Sequence, residues 1–343
     1  VTITQVDTSQ FPQVTMYVSA INAAGEPVGI DPSVISIREN GQEIAPDRIG
    51  GAGEVGPLTT LLVMDISGSM NTGGKLNAAK NAAQAYIEQM RTGDLAGLMS
   101  FNTAIKYVQP VTSDFGALSA AVEGLSAQDD TAMYDALVEA VEVMEVSAGR
   151  KAIIVLTDGL DNRSTSTVDD VLAKIGPAGL SISTIGLGDP THGTGAQTAL
   201  DEAALTSLAE RAGGVYGYAE NDDLSALYQL YGRTLQAEYQ ITYTSPSSLR
   251  DGVNRSLSVS LDGSSAASAQ VGQTVYNPGG LVPEISEPAP WSLFITLLGV
   301  LLLLLLVPST LRFALGRLSS SRKPKSRIKL SSPKSKPRIK LKD

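Results

Sequence analysis

Cysteine is absent from the 343 residues, histidine and tryptophan occur once each, and aromatic residues make up only 5%. Without cysteine there are no disulfides, no thiolate metal sites and no sulfur nucleophile, although the missing thiols do not decide the compartment. The single histidine, His192, lies in the loop Gly188-Asp189-Pro190-Thr191-His192-Gly193, where a bland loop residue is the plainer reading. There is no Ser-His-Asp arrangement and no glycine-rich phosphate loop with its lysine. The Asp-x-Asp of phosphotransferases is missing too. These absences argue against an enzyme. Basic residues are scarce over residues 1–308, 14 against 34 acidic, a net charge of −20. Such a body repels phosphate, which excludes nucleic acid as its partner. The last 35 residues reverse this balance, with 12 basic residues and one acid for a net +11.

What is present centres on Leu58-Thr59-Thr60-Leu61-Leu62-Val63-Met64-Asp65-Ile66-Ser67-Gly68-Ser69-Met70. A short, mostly apolar run bounded by turn residues predicts a strand buried on both faces. In an open α/β sheet, ligands bind beyond the carboxyl ends of such strands. Asp65, Ser67 and Ser69 stand there with alternate residues turned toward one point. All three offer oxygen, which suits Mg²⁺, Mn²⁺ or Ca²⁺. A strand ending in an ordinary Asp-Ser-Gly turn is the competing reading. Two further stretches favour the metal. Asp129-Asp130-Thr131-Ala132-Met133-Tyr134-Asp135 puts a threonine just before a helix, and the strand Lys151–Leu156 delivers Thr157-Asp158-Gly159.

With these residues in place, the chain resembles a von Willebrand factor A domain over roughly residues 57–236. The family pattern Asp-x-Ser-x-Ser, a distant Thr and a distant Asp is complete as Asp65, Ser67, Ser69, Thr131 and Asp158. The resemblance implies a metal-ion-dependent adhesion site. Ser67 and Ser69 would ligate the ion through their hydroxyls. Thr131 would ligate directly or through water, as would Asp65 and Asp158, which supply negative charge. An open coordination position would accept a carboxylate from a protein partner. The resemblance also implies that the last helix of the domain can shift on binding. Asp135 and Asp161 read as supporting or capping groups. Among divalent ions, Mg²⁺ is the first expectation, with Mn²⁺ and Ca²⁺ as alternatives.

Around that domain, residues 1–56 and 237–277 alternate apolar and polar residues. Val14, Met16 and Val18 share one strand face; Tyr239, Ile241 and Tyr243 share another. Neither segment has enough strands to bury a core alone. The economical solution is one small β-sandwich built from both ends, with a doubly wound, mainly parallel α/β domain inserted into it. The periodicity within that domain predicts strands at 58–65, 95–101, 104–109, 151–157, 180–187 and 214–218. Helices are expected at 74–91, 114–125, 132–147, 166–176, 199–212 and 222–236.

A Pro-rich linker at 278–290 leads to a charge-free apolar run at 291–311, which predicts one transmembrane helix, since a span needs roughly 17 residues or more. Trp291 would anchor it at the interface. The basic tail 312–343 follows, and the positive-inside rule places it in the cytoplasm, held at the inner leaflet by charge. Val1 is not a methionine; a removed signal peptide or a trimmed sequence would equally explain this. The resulting expectation is a single-pass plasma-membrane protein with extracytoplasmic N-terminal domains, binding a protein partner through a divalent cation. The alternative is a structural subunit of a membrane, secretion or pilus complex whose A domain docks on a fixed neighbour.

Overall fold

The run Leu58–Asp65 forms strand β6, and every one of its eight residues is buried. Continuous burial needs layers on both sides, and those layers explain the order of the chain. A computed structural model describes residues 1–22, 25–51, 54–188, 200–261, 271–280 and 295–301. Before β6 lie β1 (Thr2–Asp7), β2 (Gln13–Ser19), β3 (Ile35–Glu39), β4 (Gln42–Ile44) and β5 (Arg48–Gly50). After it come α1 (Lys75–Ile87), β7 (Leu95–Phe101), β8 (Ile105–Thr112), α2 (Phe115–Glu123), α3 (Met133–Glu145) and β9 (Arg150–Thr157). The α/β unit continues through α4 (Val168–Ala178), β10 (Ser181–Leu187), α5 (Glu202–Arg211), β11 (Gly213–Ala219) and α6 (Leu224–Gln236). Strands β12 (Tyr239–Thr244), β13 (Arg255–Leu261) and β14 (Gly272–Tyr276) complete the set.

The central sheet has the order β11-β10-β9-β6-β7-β8. All its pairings are parallel except β7 with β8. Crossover helices cover both faces, as a parallel sheet requires. Helices α1, α2 and α6 enclose one core with Leu62, Met64, Ile154 and Leu156. Helices α3, α4 and α5 enclose the other with Leu61, Val63, Ile153 and Val155. Successive residues of β6 and β9 therefore feed opposite cores, the strand period of two.

The strands outside this unit form two four-stranded sheets, β1-β2-β12-β5 and β14-β13-β3-β4, with Met16, Val18, Ile37, Ile241, Tyr243 and Val259 packed between them. The alternating faces meet in register: Tyr239 lies opposite Val18, Ile241 opposite Met16 and Tyr243 opposite Val14. Val259 lies opposite Ile37 across β13 and β3. The α/β unit enters after β5 and leaves before β12, and those two strands pair with each other.

The buried Arg150 at the start of β9 fastens this junction. Its guanidinium donates to Glu238 Oε2 at 2.6 and 3.1 Å, to the Leu235 carbonyl at the end of α6 and to the Gly56 carbonyl at 3.1 Å. It also lies over the Tyr17 ring, 5.6 Å from the centroid. Gln5 reaches across from β1, donating to the Gly149 carbonyl and accepting from Lys151 N–H, both at 2.8 Å.

Several expected boundaries move. The first helix stops at Ile87 although its apolar stripe continues to Met90, because Gln89 and Met90 N–H bond back three residues to Tyr86 and Ile87 carbonyls. That is the tighter 3₁₀ pattern common at helix ends. The Asp94 carboxylate then captures the N–H groups of Arg91 and Leu58. The edge strand expected at 104–109 runs to Thr112, past Pro110, a residue tolerated where one side of the strand is unpaired.

The single-pass topology requires correction. Among the described residues, no helix is long and apolar enough to cross a membrane. Of the span expected at 291–311, only 295–301 are described, and they are helical. The predicted plasma-membrane localisation, with its inner and outer faces, is therefore withdrawn. Most of the Pro-rich linker, the basic tail 312–343 and His192 lie outside the described residues.

Candidate metal centre

Asp65 ends β6 at the carboxyl edge of the sheet and is fully buried. Its Oδ1 accepts from Ser67 N–H at 2.7 Å, and its Oδ2 accepts from the Thr157 hydroxyl at 2.6 Å. Burial pushes its carboxyl up to about 6. The Thr157 bond opposes that rise, the nearby Asp158 charge adds to it, and the bonds from Ser67 oppose it again. A carboxylate kept in so dry a place gains from any cation that reaches it.

The loop after β6 is held by backbone contacts. Ile66 N–H donates to the Phe101 carbonyl, and Gln128 N–H donates to the Ile66 carbonyl, both at 2.8 Å. Gly68 N–H donates to the Asp129 carbonyl at 2.8 Å. A Cβ on Gly68 would stand 3.3 Å from that same oxygen, so glycine permits this approach. Met70, fully buried, anchors the short 3₁₀ turn Gly68–Asn71 into the core. The result aims two serines at one place: Ser67 Oγ and Ser69 Oγ are 3.0 Å apart.

Asp158 arrives from β9, the strand paired with β6. Its Oδ1 accepts from Ser69 Oγ at 2.7 Å and its Oδ2 from Lys75 Nζ at 2.6 Å. Thr131 is placed by the loop that follows. Its N–H donates to Asn162 Oδ1, and its carbonyl accepts from Asn162 and Arg163 N–H, all at 3.1 Å. Its hydroxyl lies 3.9 Å from where a Cβ of Gly159 would be. Ser67, Ser69 and Asp158 are thus joined by hydrogen bonds. Asp65 is attached through Ser67 and Thr157, and Thr131 borders the Asp158–Gly159 turn.

The supporting acids have defined tasks. Asp161 accepts from Tyr134 N–H at 2.9 Å and from the Ser164 hydroxyl at 2.6 Å, so it caps the start of α3 from another loop. Asp135 accepts from Ser166 N–H at 2.8 Å and Thr165 N–H at 3.0 Å. Desolvation acts against its ionised form, but these bonds outweigh it and hold its carboxyl below the usual range. An open groove of about 470 Å³ beside them is lined by Tyr134, Asp161, Ser164, Ser166 and Arg211.

Two participants escape sequence reasoning. Thr157 precedes an expected site residue and could have been noticed as a polar end to an apolar strand. Lys75 carries no such signal, because its partner is 83 positions away. Among the described residues, no cluster of three or more His, Cys, Asp or Glu is present. The five residues expected to hold an ion offer instead two carboxylates and three hydroxyls. These hard oxygens fit a small divalent cation and do not fit a thiophilic one.

The match to known proteins is confined to part of the chain. Residues 60–160 match the family described as von Willebrand factor type A domain. No curated protein matches the sequence. Similar solved structures include BatB from Bacteroides thetaiotaomicron, 22% identical, covering 52% of this chain and 98% of that one with a TM-score of 0.44. A von Willebrand factor type A protein from Catenulispora acidiphila is 14% identical, covering 80% and 70% at 0.47. The corresponding domain of the pilus tip protein Mfa5 from Porphyromonas gingivalis is 15% identical, covering 53% and 95% at 0.41. The matched segment contains all five oxygen-bearing residues, and over residues 60–160 the chain is similar to a von Willebrand factor type A domain.

Proposed function

We propose that this protein is an interaction module that grips a protein partner through a divalent cation, Mg²⁺ or Mn²⁺ first. The hydroxyls of Ser67, Ser69 and Thr131 and the carboxylates of Asp65 and Asp158 would hold the ion, directly or through water. The partner would supply a carboxylate to the remaining coordination position. The observation that carries this reading is the bonded chain Ser67–Ser69–Asp158 at the sheet's carboxyl edge, with buried Asp65 behind it.

The chemistry follows from charge. Three neutral hydroxyls and two carboxylates, one already shared with Lys75, leave a divalent ion short of negative charge. What the ion supplies when bound is Lewis acidity toward an incoming carboxylate. The chain's own residues do the rest. Met70 and the Gly68–Asp129 contact fix the serine loop, and Asn162 fixes Thr131. Asp161 and Asp135 tie the start of α3, the helix that follows that threonine, to the loop after Asp158. Nothing in this set is an activated nucleophile, which favours binding over turnover.

Calorimetric titration of the full chain with MgCl₂ tests the reading, alongside capture of protein partners with and without EDTA. Metal binding by the wild type, lost in Ser67→Ala/Ser69→Ala, and partners lost on both chelation and mutation are the expected results. At an ion concentration 100 times Kd, unfolding should become harder by about 2.7 kcal/mol. Equal metal binding by the wild type and the double variant would refute the assignment.

A further inference from the structure

Lys75 is the first residue of α1, where a cation faces the positive end of the helix macrodipole. Helix chemistry gives no reason for a lysine there; its contacts do. Its N–H donates to the Thr72 carbonyl at 3.2 Å, and the Thr72 hydroxyl donates to the Ser69 carbonyl at 2.7 Å, so the lysine backbone is tied to the serine loop. Its ammonium crosses to Asp158 Oδ2 at 2.6 Å, with the lysine side chain 24% exposed and the Asp158 side chain fully buried. It also borders the end of β10, where a Cβ on Gly188 would stand 3.5 Å from Nζ. Both oxygens of Asp158 are therefore occupied by donors, Ser69 on one and Lys75 on the other.

We infer that Lys75 is a built-in competitor for Asp158 that lowers the site's divalent-ion affinity and selects Mg²⁺ against Ca²⁺. The inference rests on the metal-site reading above. An ion at the serine pair would share Asp158 with a fixed positive charge, and that like charge weakens its binding. The lysine also keeps one oxygen of Asp158 from bidentate coordination. Calcium takes six to eight oxygen ligands and readily uses bidentate carboxylates, whereas Mg²⁺ keeps several waters and needs only one or two carboxylate contacts. Removing the ammonium therefore helps both ions and helps Ca²⁺ more.

The test is calorimetric titration of the full chain with MgCl₂ alone and CaCl₂ alone, on the wild type, Lys75→Met, Lys75→Gln and Lys75→Arg. Circular dichroism in EDTA checks that each variant is folded. Lys75→Met and Lys75→Gln should each bind Mg²⁺ tighter by about 10-fold or more, the scale of one lost like charge at close range. Their gain for Ca²⁺ should be larger, narrowing the preference between the ions. Lys75→Arg, which keeps the charge, should stay within a few-fold of the wild type. Unchanged or weaker Mg²⁺ binding by both neutral variants overturns the inference while leaving the metal site standing. Wild-type behaviour by Lys75→Gln alone assigns the effect to the hydrogen bond and overturns it too. Binding of neither ion by any of the four proteins overturns the metal reading itself, and this inference with it.

Discussion

Replacing Arg150 with methionine removes one member of a pair in which both side chains are only 4% exposed. Glu238 would then keep a buried charge with no cation beside it, and the Gly56 and Leu235 carbonyls would lose a donor. Removing one partner of a buried pair costs about 3–5 kcal/mol. At about 2–4 °C per kcal/mol for a unit of 150–250 residues, the melting temperature should fall by roughly 6–20 °C. The Arg150→Met/Glu238→Leu double variant removes both charges and should recover part of this. It still leaves the two carbonyls without that donor, so about 1–3 kcal/mol of the loss should remain. Urea unfolding followed by circular dichroism measures both variants. A single variant within about 1 kcal/mol of the wild type would show that water enters the junction, because a hydrated Glu238 pays only a surface price. Equal losses in the single and double variants would refute the charge argument altogether.

Asp65→Asn should flatten the pH dependence of the metal-free protein's stability between pH 4 and pH 7 while abolishing divalent-ion binding. The rise of this carboxyl from 3.8 to about 6 corresponds to about 2–3 kcal/mol. Its sign is fixed by proton counting. Between those values the folded chain binds more protons than the unfolded one, so wild-type stability in EDTA should fall as pH rises through that window. Unfolding midpoints at pH 4 and pH 7, with and without the substitution, check this; a steeper decline in the variant would contradict it. Gly214→Ala should disrupt the edge of the sheet, because a Cβ there would stand 2.0 Å from the Ile182 carbonyl oxygen. A loss of about 1–3 kcal/mol or more is expected. Gly56→Ala, with nothing within 4 Å of its Cβ, serves as the control in the same melting experiment.

How much was legible depends on how far apart the cooperating residues are. The apolar runs of β6 and β9 declare buried parallel strands locally, and Asp65, Ser67 and Ser69 follow from one of them. Val14, Met16 and Val18 show a half-buried face, but only the three-dimensional pairing identifies Tyr239, Ile241 and Tyr243 as what lies opposite. Strands β4 and β5 have three residues each, too few for a period to register. The α1 stripe overshoots because Met90 still packs against the core after the backbone has left the helix. Thr157 and Lys75 act through side-chain bonds across 92 and 83 positions, and such bonds leave no local pattern. Glu238, one residue before a strand, looks like an ordinary surface acid until Arg150 is seen beside it. Asp135 and Asp161 do more than cap: together they join the start of α3 to the loop after Asp158, a link that a linear reading does not show.

The pairing of β5 with β12 carries one more consequence. Neighbouring strands lie about 4.8 Å apart, so the chain leaves the sandwich and returns to it through nearly the same spot. The two crossings between the sandwich and the α/β unit thus stand side by side on one ladder.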